Sequence, residues 1–254
     1  MGAIPRHRLF VEAALSTGAS VALTVDQSHR LLHVLRAVRG DAVALFNGQD
    51  GEWLARLDQA NKKSAVMAVE SRLREQAESA APDLWLLFAP LKRGPVDLMV
   101  EKATELGVAA LLPVWTRFTD AQRLNTDRLR SIAIEASEQC GRLTVPDIHE
   151  PADLDTLLAR WPEGRHLILL DESGRGAPIA QALSTLTDNR AAILVGPEGG
   201  FAESELDAVR GQAFAVAADL GPRILRAETA AIAALACFQA FSAQRDGAPS
   251  KQSN

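Results

Sequence analysis

Residues Ala191-Ala192-Ile193-Leu194-Val195-Gly196-Pro197-Glu198-Gly199-Gly200-Phe201 run from an unbroken apolar stretch straight into a glycine-rich turn. The stretch shows no polar alternation, which is the habit of a parallel strand covered on both faces. The pattern returns a short way on, where the strand candidate 213–220, apolar but for Asp219, gives way to Leu220-Gly221-Pro222-Arg223-Ile224-Leu225-Arg226-Ala227-Glu228-Thr229-Ala230. Loops that leave the carboxyl ends of strands in an open parallel sheet line its ligand crevice. Glycine lets bare backbone approach a ligand, and Pro197 and Pro222 stiffen both turns into a fixed cup. A third loop, Asp171-Glu172-Ser173-Gly174-Arg175-Gly176, follows another apolar run and would point the same way. A small-molecule cofactor site is the leading reading of this half; turns of purely structural purpose are the alternative. Neither G-x-G-x-x-G nor G-x-x-x-x-G-K-[ST] occurs at these turns, which speaks against a dinucleotide-binding dehydrogenase and a P-loop protein.

Outward from these loops, the chain alternates strands and helices. Strands are expected at 84–89, 109–114, 166–170, 191–195 and 213–220. Helices are expected at 96–106, closed by Gly107, and at 126–140, closed by Gly141. The N-terminal part reads differently. Short strand candidates at 21–25, 41–46, 53–57 and 64–69, with hairpin chemistry at Asn47-Gly48 and Asp50-Gly51, suggest a small β-barrel. One helix interrupts it at 28–38, with Leu31, Leu32, Leu35 and Val38 on one face. The segment 70–82 is the best linker candidate. This divides the chain into a barrel at 1–74, a larger domain at 75–246 and a polar tail at 247–254.

Composition narrows the setting. The 254 residues are 47% hydrophobic, with a formal net charge of −5, so no global basic field marks a nucleic-acid binder. Cys140 and Cys237 form neither a metal spacing nor a disulfide framework. No signal peptide or membrane span is read, and a cytoplasmic protein is expected. The last helix, about 227–243, has no charge between Glu228 and Arg245 and is apolar nearly all round. Such a helix is expected to be enclosed, here between its own sheet and a second subunit of a homodimer.

At this point the chain resembles a known family. Arg6-His7-Arg8-Leu9-Phe10-Val11, His33-Val34-Leu35-Arg36 with Gly40-Asp41, and Lys102-Ala103-Thr104-Glu105-Leu106-Gly107-Val108 carry the first part of the resemblance. Glu135-Ala136-Ser137-Glu138-Gln139-Cys140-Gly141-Arg142 and the two glycine-rich segments carry the rest. Together, in this order, they are similar to the RsmE family of SPOUT-class methyltransferases, which act on N3 of a uridine in 16S ribosomal RNA. The resemblance implies a PUA-like β-barrel followed by a parallel-sheet α/β domain whose C-terminal segment forms a trefoil knot. It also implies a homodimer and bound S-adenosylmethionine (SAM), held largely by backbone. Carried over residue by residue, the cofactor-binding positions are Leu170, Gly196, Pro197, Glu198, Gly199, Gly200, Leu220, Gly221, Pro222, Ile224, Leu225 and Thr229.

Methyl transfer to uracil N3 requires loss of its proton, either to a base or with cationic stabilisation of the resulting anion. Arg226 could stabilise charge on the uracil oxygens, or simply pair with a carboxylate. Glu198 could be the base, or serve a helix start. Arg6, Arg8, Arg30 and Arg36 in the barrel, and Lys92, Arg93, Arg117, Arg123 and Arg142 in the larger domain, are the RNA-binding candidates. The expected partner is 16S rRNA within the assembled small ribosomal subunit. His29 and His33 stand four apart on a helix without a third ligand, so no metal is expected. A ribose 2′-O methyltransferase and a non-catalytic RNA-binding protein are the rival readings.

Overall fold

The structure is a computed structural model that describes residues 5–61, 64–79, 83–91, 93–121 and 123–245, without side-chain detail at 78, 79, 93 and 245. Two compact units make up the chain: residues up to 80 together with 134–145, and residues 81–133 together with 146–254. The polar tail at 247–254 lies outside the described residues.

The first unit holds β1 (Arg8–Phe10), β2 (Ser20–Ala22), α1 (Val25–His29), β3 (Ala42–Phe46), β4 (Glu52–Asn61) and β5 (Ser64–Arg74). Its five-stranded sheet has the order β1-β3-β4-β5-β2. β1 pairs with β3 in parallel and the other pairs are antiparallel. Leu9, Leu31, Leu45, Leu57 and Met67 are fully buried at its centre.

Three sequence expectations change here. The helix placed at 28–38 starts earlier, because Thr24 and Gln27 form a capping box at its amino end. It then loosens into a π-turn, Arg30–Val34, and Arg36 takes a left-handed φ of 56°, so Val38 lies exposed beyond the helix. The strand placed at 21–25 stops at Ala22, before that cap. The segment 70–82 begins as strand: β5 continues to Arg74, which pairs with Glu52, while Arg72 stacks on the Trp53 ring. Residues 80–82 lie outside the described residues.

The second unit alternates β6 (Leu84–Phe88), α2 (Arg93–Glu105), β7 (Ala110–Trp115), the first half of α3 (Thr126–Cys140, whose residues from Ile134 on belong to the first unit), β8 (Asp147–Ile148), β9 (Ala152–Asp153) and α4 (Leu154–Ala159). β10 (His166–Leu170), β11 (Ala177–Pro178), α5 (Ile179–Ser184), β12 (Ala191–Val195), α6 (Glu203–Arg210), β13 (Ala215–Asp219) and α7 (Ala227–Arg245) follow. The sheet order is β11-β13-β10-β12-β6-β7-β8, with β9 also on β7, and every pairing is parallel. β13, a late strand, is inserted between β10 and β11, which are consecutive strands in the chain.

All five residues of β12 are buried, as its unbroken apolar sequence requires. Leu87, Leu112, Leu169 and Leu194 face α4 and α6 on one side, and α7 packs against α2, α5 and β12. Gly107 and Gly141 close α2 and α3 with φ of 82° and 83°. Along α7, Ala231, Ala234, Leu235 and Phe238 are buried, whereas Ala236, Ala240 and Ala243 are exposed in the single chain. Cys140 is exposed and Cys237 half-buried, so neither is a core residue here. At the amino end of the sheet, buried Arg165 donates to the Asp83 and Ala191 carbonyls and lies 3.6 Å above the Trp85 ring. No helix among the described residues is long and apolar enough to cross a membrane.

Candidate functional site

β10, β12 and β13 are neighbours, so the three loops leaving their carboxyl ends converge. They enclose a cavity of about 410 Å³, within the range usual for small-molecule sites. Its wall includes Leu170, Gly196, Pro197, Glu198, Gly200, Leu220, Gly221, Pro222, Ile224, Leu225 and Arg226, all named from sequence. Gly199 and Thr229, also named, do not line it.

The reason for Gly199 is geometric. A side chain built there would meet the Cβ of Phe118 at 3.3 Å, so its bare face is turned toward Phe118. At Gly196 a Cβ would lie 2.8 Å from the Phe201 ring; at Gly200 it would lie 2.2 Å from a Glu172 carboxylate oxygen that can swing away, and the φ of 71° is what favours glycine there. These two glycines are the ones the cavity wall requires. The turn 197–200 closes through a bond from the Gly200 N–H to the Pro197 carbonyl at 2.9 Å. Glu205 then accepts from the Ala202 N–H at 2.8 Å, fixing the start of α6.

The second loop is held by Asp219, whose Oδ1 accepts from the Gly221 N–H at 2.7 Å, while Gly221 adopts a φ of 105°. Asp219, Asp171, Glu172, Phe201, Arg223, Ala227 and Ala230 also line the cavity and were not named individually from sequence. The third-loop pattern pointed to two of them. Asp219 carried the Asp-x-Gly signal of a side-chain-braced turn. Ile224 lines the cavity and is 88% exposed, apolar surface that a ligand would cover.

Asp171 anchors the third loop. Its buried carboxylate accepts from Arg210 Nη2 at 2.5 Å and from the Ser173 N–H at 2.9 Å. Burial penalises its charge, but the bonds from Ser173 and Arg210 outweigh that and hold its pKa below the ordinary 3.8. A depressed carboxylate stabilises the fold above its unfolded pKa and loses that contribution as pH falls through the folded value. Asp171→Ala is expected to cost about 2 kcal/mol at pH 7, by removing the acceptor of the Ser173 N–H and the nearest partner of Arg210, which keeps the Ser173 hydroxyl at 2.8 Å and the Glu203 and Asp207 carboxylates at 3.5 and 3.7 Å. It should also flatten the acid limb below roughly pH 4. Denaturant titrations at several pH values check both.

The two catalytic candidates sit on the cavity rim. Arg226 is exposed, and its carbonyl accepts the first helical bond of α7, from Ala230, at 2.8 Å. Glu198 is exposed within the 197–200 turn, five residues before α6, and so does not serve that helix start.

The RNA candidates separate into two groups. Arg6, Arg36, Arg117 and Arg123 are exposed. Arg8, by contrast, donates to Glu52 and to the carbonyls of Ser137, Glu138 and Arg142. Arg30 pairs with buried Glu138 at 2.5 Å, and Arg142 is half-buried and bonded to the Thr144 hydroxyl. Lys92 and the side chain of Arg93 lie outside the described residues. His29 and His33 are exposed, with ring centres 5.0 Å apart. Among the described residues no group of three or more His, Cys, Asp or Glu could hold a metal ion.

Two domain descriptions match this architecture, an RNA methyltransferase domain at residues 78–239 and an RNA methyltransferase PUA domain at residues 23–69. The chain belongs to the RNA methyltransferase family. More particularly, it is similar to the ribosomal RNA small subunit methyltransferase E of Rickettsia conorii, with 32% identity over 233 residues, 91% of this chain and 93% of the relative. The enzyme of the same name from Bacillus subtilis is 27% identical over 247 residues, 91% of this chain and 95% of the relative. Among solved structures, ribosomal RNA small subunit methyltransferase E from Neisseria gonorrhoeae, bound to S-adenosyl methionine, superposes with a TM-score of 0.81. It is 29% identical and covers 92% of this chain and 97% of its own. A putative methyltransferase from Legionella pneumophila, in complex with the same cofactor, gives 0.80 at 28% identity, covering 93% and 98%.

Proposed function

We propose that this protein transfers the methyl group of SAM to N3 of a uridine in 16S ribosomal RNA, presented by the small ribosomal subunit in the cytoplasm. The observation that carries the reading is the cup formed by three loops at the carboxyl ends of β10, β12 and β13. The residues present fit the cofactor. Gly196 and Gly200 give a wall of bare backbone, and Ile224 offers apolar surface to an adenine. Glu172, Glu198 and Asp219 place carboxylates around a ligand that carries a sulfonium and an ammonium. When bound, SAM supplies an electrophilic methyl group. The relatives' shared name, and the cofactor found in two similar structures, support the same reading.

The chain's own contribution is alignment and charge. Holding N3 in line with the methyl group supplies a large part of the acceleration. Arg226, on the rim, neutralises the negative charge that develops on the uracil oxygens as the N3 proton leaves. Glu198, exposed on the same rim, is the candidate to accept that proton. Arg226→Ala is therefore expected to lower kcat by about 10- to 100-fold while changing SAM affinity little. Equal losses in both would reassign Arg226 to cofactor binding.

The domain roles follow: residues 1–74 as an RNA-binding barrel and 75–246 as the methyltransferase domain. The insertion of β13 between β10 and β11 supports a C-terminal trefoil knot. The exposed small residues of α7 support a homodimer that covers this helix. The test is transfer from labelled SAM to small subunits lacking the mark, with the modified nucleoside identified by mass spectrometry. N3-methyluridine is the expected product. Label on a ribose 2′-oxygen would overturn the specificity, and no label with SAM bound would overturn the substrate.

A further inference from the structure

We infer that Phe118 is a positioning residue for the substrate, stacking on a nucleobase of the RNA at the edge of the cofactor cup, an inference that rests on the function proposed above. Phe118 lies in the loop after β7, at the same carboxyl edge of the sheet as the cup, and is 47% exposed. Large aromatic side chains gain most when covered, so an exposed one held on a rigid support calls for an occupant.

The support is specific. The Thr119 N–H bonds to the Thr116 carbonyl at 3.1 Å, and the Thr116 N–H to the Thr119 hydroxyl at 3.1 Å, closing a tight turn around Phe118. The Arg117 N–H donates to Glu205 Oε1 at 2.8 Å, while the other oxygen of Glu205 takes the Ala202 N–H. One carboxylate thus ties the Phe118 turn to the segment that follows the 196–201 loop. Gly199 completes the attachment: it has no side chain, and that bare face is where Phe118 lies. Gly196, Pro197, Glu198 and Gly200, on either side of Gly199 in the same loop, line the cofactor cavity.

A base is the occupant that suits this place. In an RNA methyltransferase the reacting base must leave its stack to meet the methyl group, and unstacked bases are held on aromatic side chains. Exposed Arg117, next in sequence, provides a cation for the adjoining phosphate. Arg123 does the same further along, where a second cavity of about 360 Å³ opens between Leu91, Val96 and Asn125. The geometry also accounts for Gly199, which the cofactor cavity leaves unexplained.

The test compares wild type, Phe118→Ala, Phe118→Trp and Gly199→Ala in methyl transfer to unmodified small subunits. SAM affinity is measured by calorimetry and oligomeric state by sedimentation. Phe118→Ala is expected to raise KM for subunits and lower kcat/KM by about ten-fold or more, with SAM affinity within about two-fold. Tryptophan should restore most of the loss, and Gly199→Ala, which displaces the ring, should reproduce part of it. Near-wild-type kcat/KM for Phe118→Ala would overturn the assignment. A parallel loss of SAM affinity would also overturn it, reducing Phe118 to a prop for the glycine loop. Altered sedimentation of the Ala variant would give the ring to a second copy of the chain. A wild type that methylates no RNA would remove the proposed function and this role together, whereas failure of Phe118 alone shows only against an active wild type.

Discussion

Gly196→Val is expected to weaken SAM binding by at least about a hundred-fold while leaving the N-terminal sheet folded. A Cβ at this position would lie 2.8, 3.0 and 3.2 Å from three atoms of the Phe201 ring. The ring packs against the cluster that contains Leu87, Leu194 and Leu206, so it cannot yield as the tip of a surface side chain would. Overpacking of this kind costs about 1–3 kcal/mol and is relieved by moving backbone. The backbone that must move is residues 196–201, one of the three walls of the cup. A hundred-fold loss corresponds to about 2.7 kcal/mol, within reach of that displacement together with the contacts it breaks. Gly199→Val is the control, because its side chain would press on Phe118 rather than on the cofactor. Calorimetric titration of both variants, each checked by circular dichroism, decides the matter. Unchanged affinity in a folded Gly196→Val protein would take this loop out of the site.

The contrast between Gly196 and Gly199 shows what a sequence can and cannot tell. That 191–201 is a buried strand entering a ligand loop was legible, because burial on both faces leaves no polar alternation and the loop concentrates Gly with Pro. Which side of each bare Cα faces the ligand was not legible, since that depends on Phe118, about eighty residues away in the chain. The same limit applies to charge. Arg8 and Arg36 look alike as spaced arginines near the amino terminus, yet one is spent inside the first unit and the other is exposed. The early helix was misplaced for a different reason. Its apolar spacing begins only at Leu31, well after the Thr24–Gln27 capping box that starts it, and the π-turn that ends it departs from the 3.6-residue period. The linker reading failed at Glu70–Arg74 because an outward-facing hairpin strand is as polar as a linker; only its pairing with β4 distinguishes them. Insertion of β13 between β10 and β11 leaves no periodic trace at all. The family resemblance implies a C-terminal knot but gives no strand order.

Arg8→Ala is expected to cost about 3 kcal/mol of stability, although the sequence alone makes Arg8 a candidate for RNA contact. Its Nε lies 2.5 Å from Glu52, one terminal nitrogen bonds the carbonyls of Ser137 and Glu138, and the other bonds that of Arg142. These carbonyls belong to the carboxyl end of α3 and the loop beyond it, where a cation complements the helix dipole. The guanidinium also lies 4.5 Å from the centre of the Phe46 ring. Removing one partner of a buried pair typically costs about 3–5 kcal/mol. The low end applies here because Glu52 keeps Arg74 at 2.7 Å, and Arg74 still donates to the Gly141 carbonyl. Burial raises the cost of charge on Glu52, but Arg74 and Arg8 more than offset it, so its pKa lies below the ordinary 4.5. Its contribution is therefore complete at neutral pH and is lost as pH falls below about 4.5. Glu138 has the opposite sign. Desolvation pushes its pKa up despite the Phe10 N–H and Arg30, so protonating it relieves the fold instead. Without Arg8, Glu52 loses part of its depression, and the acid limb of stability should become shallower as well as lower. Arg8→Lys, which keeps the charge but cannot reach Glu52 and three carbonyls together, should fall between the two. Denaturant unfolding of the three proteins between pH 7 and pH 4 measures this. A loss under about 1 kcal/mol at pH 7, the range of exposed ion pairs, would show that water replaces the guanidinium and would return Arg8 to the candidates for RNA contact.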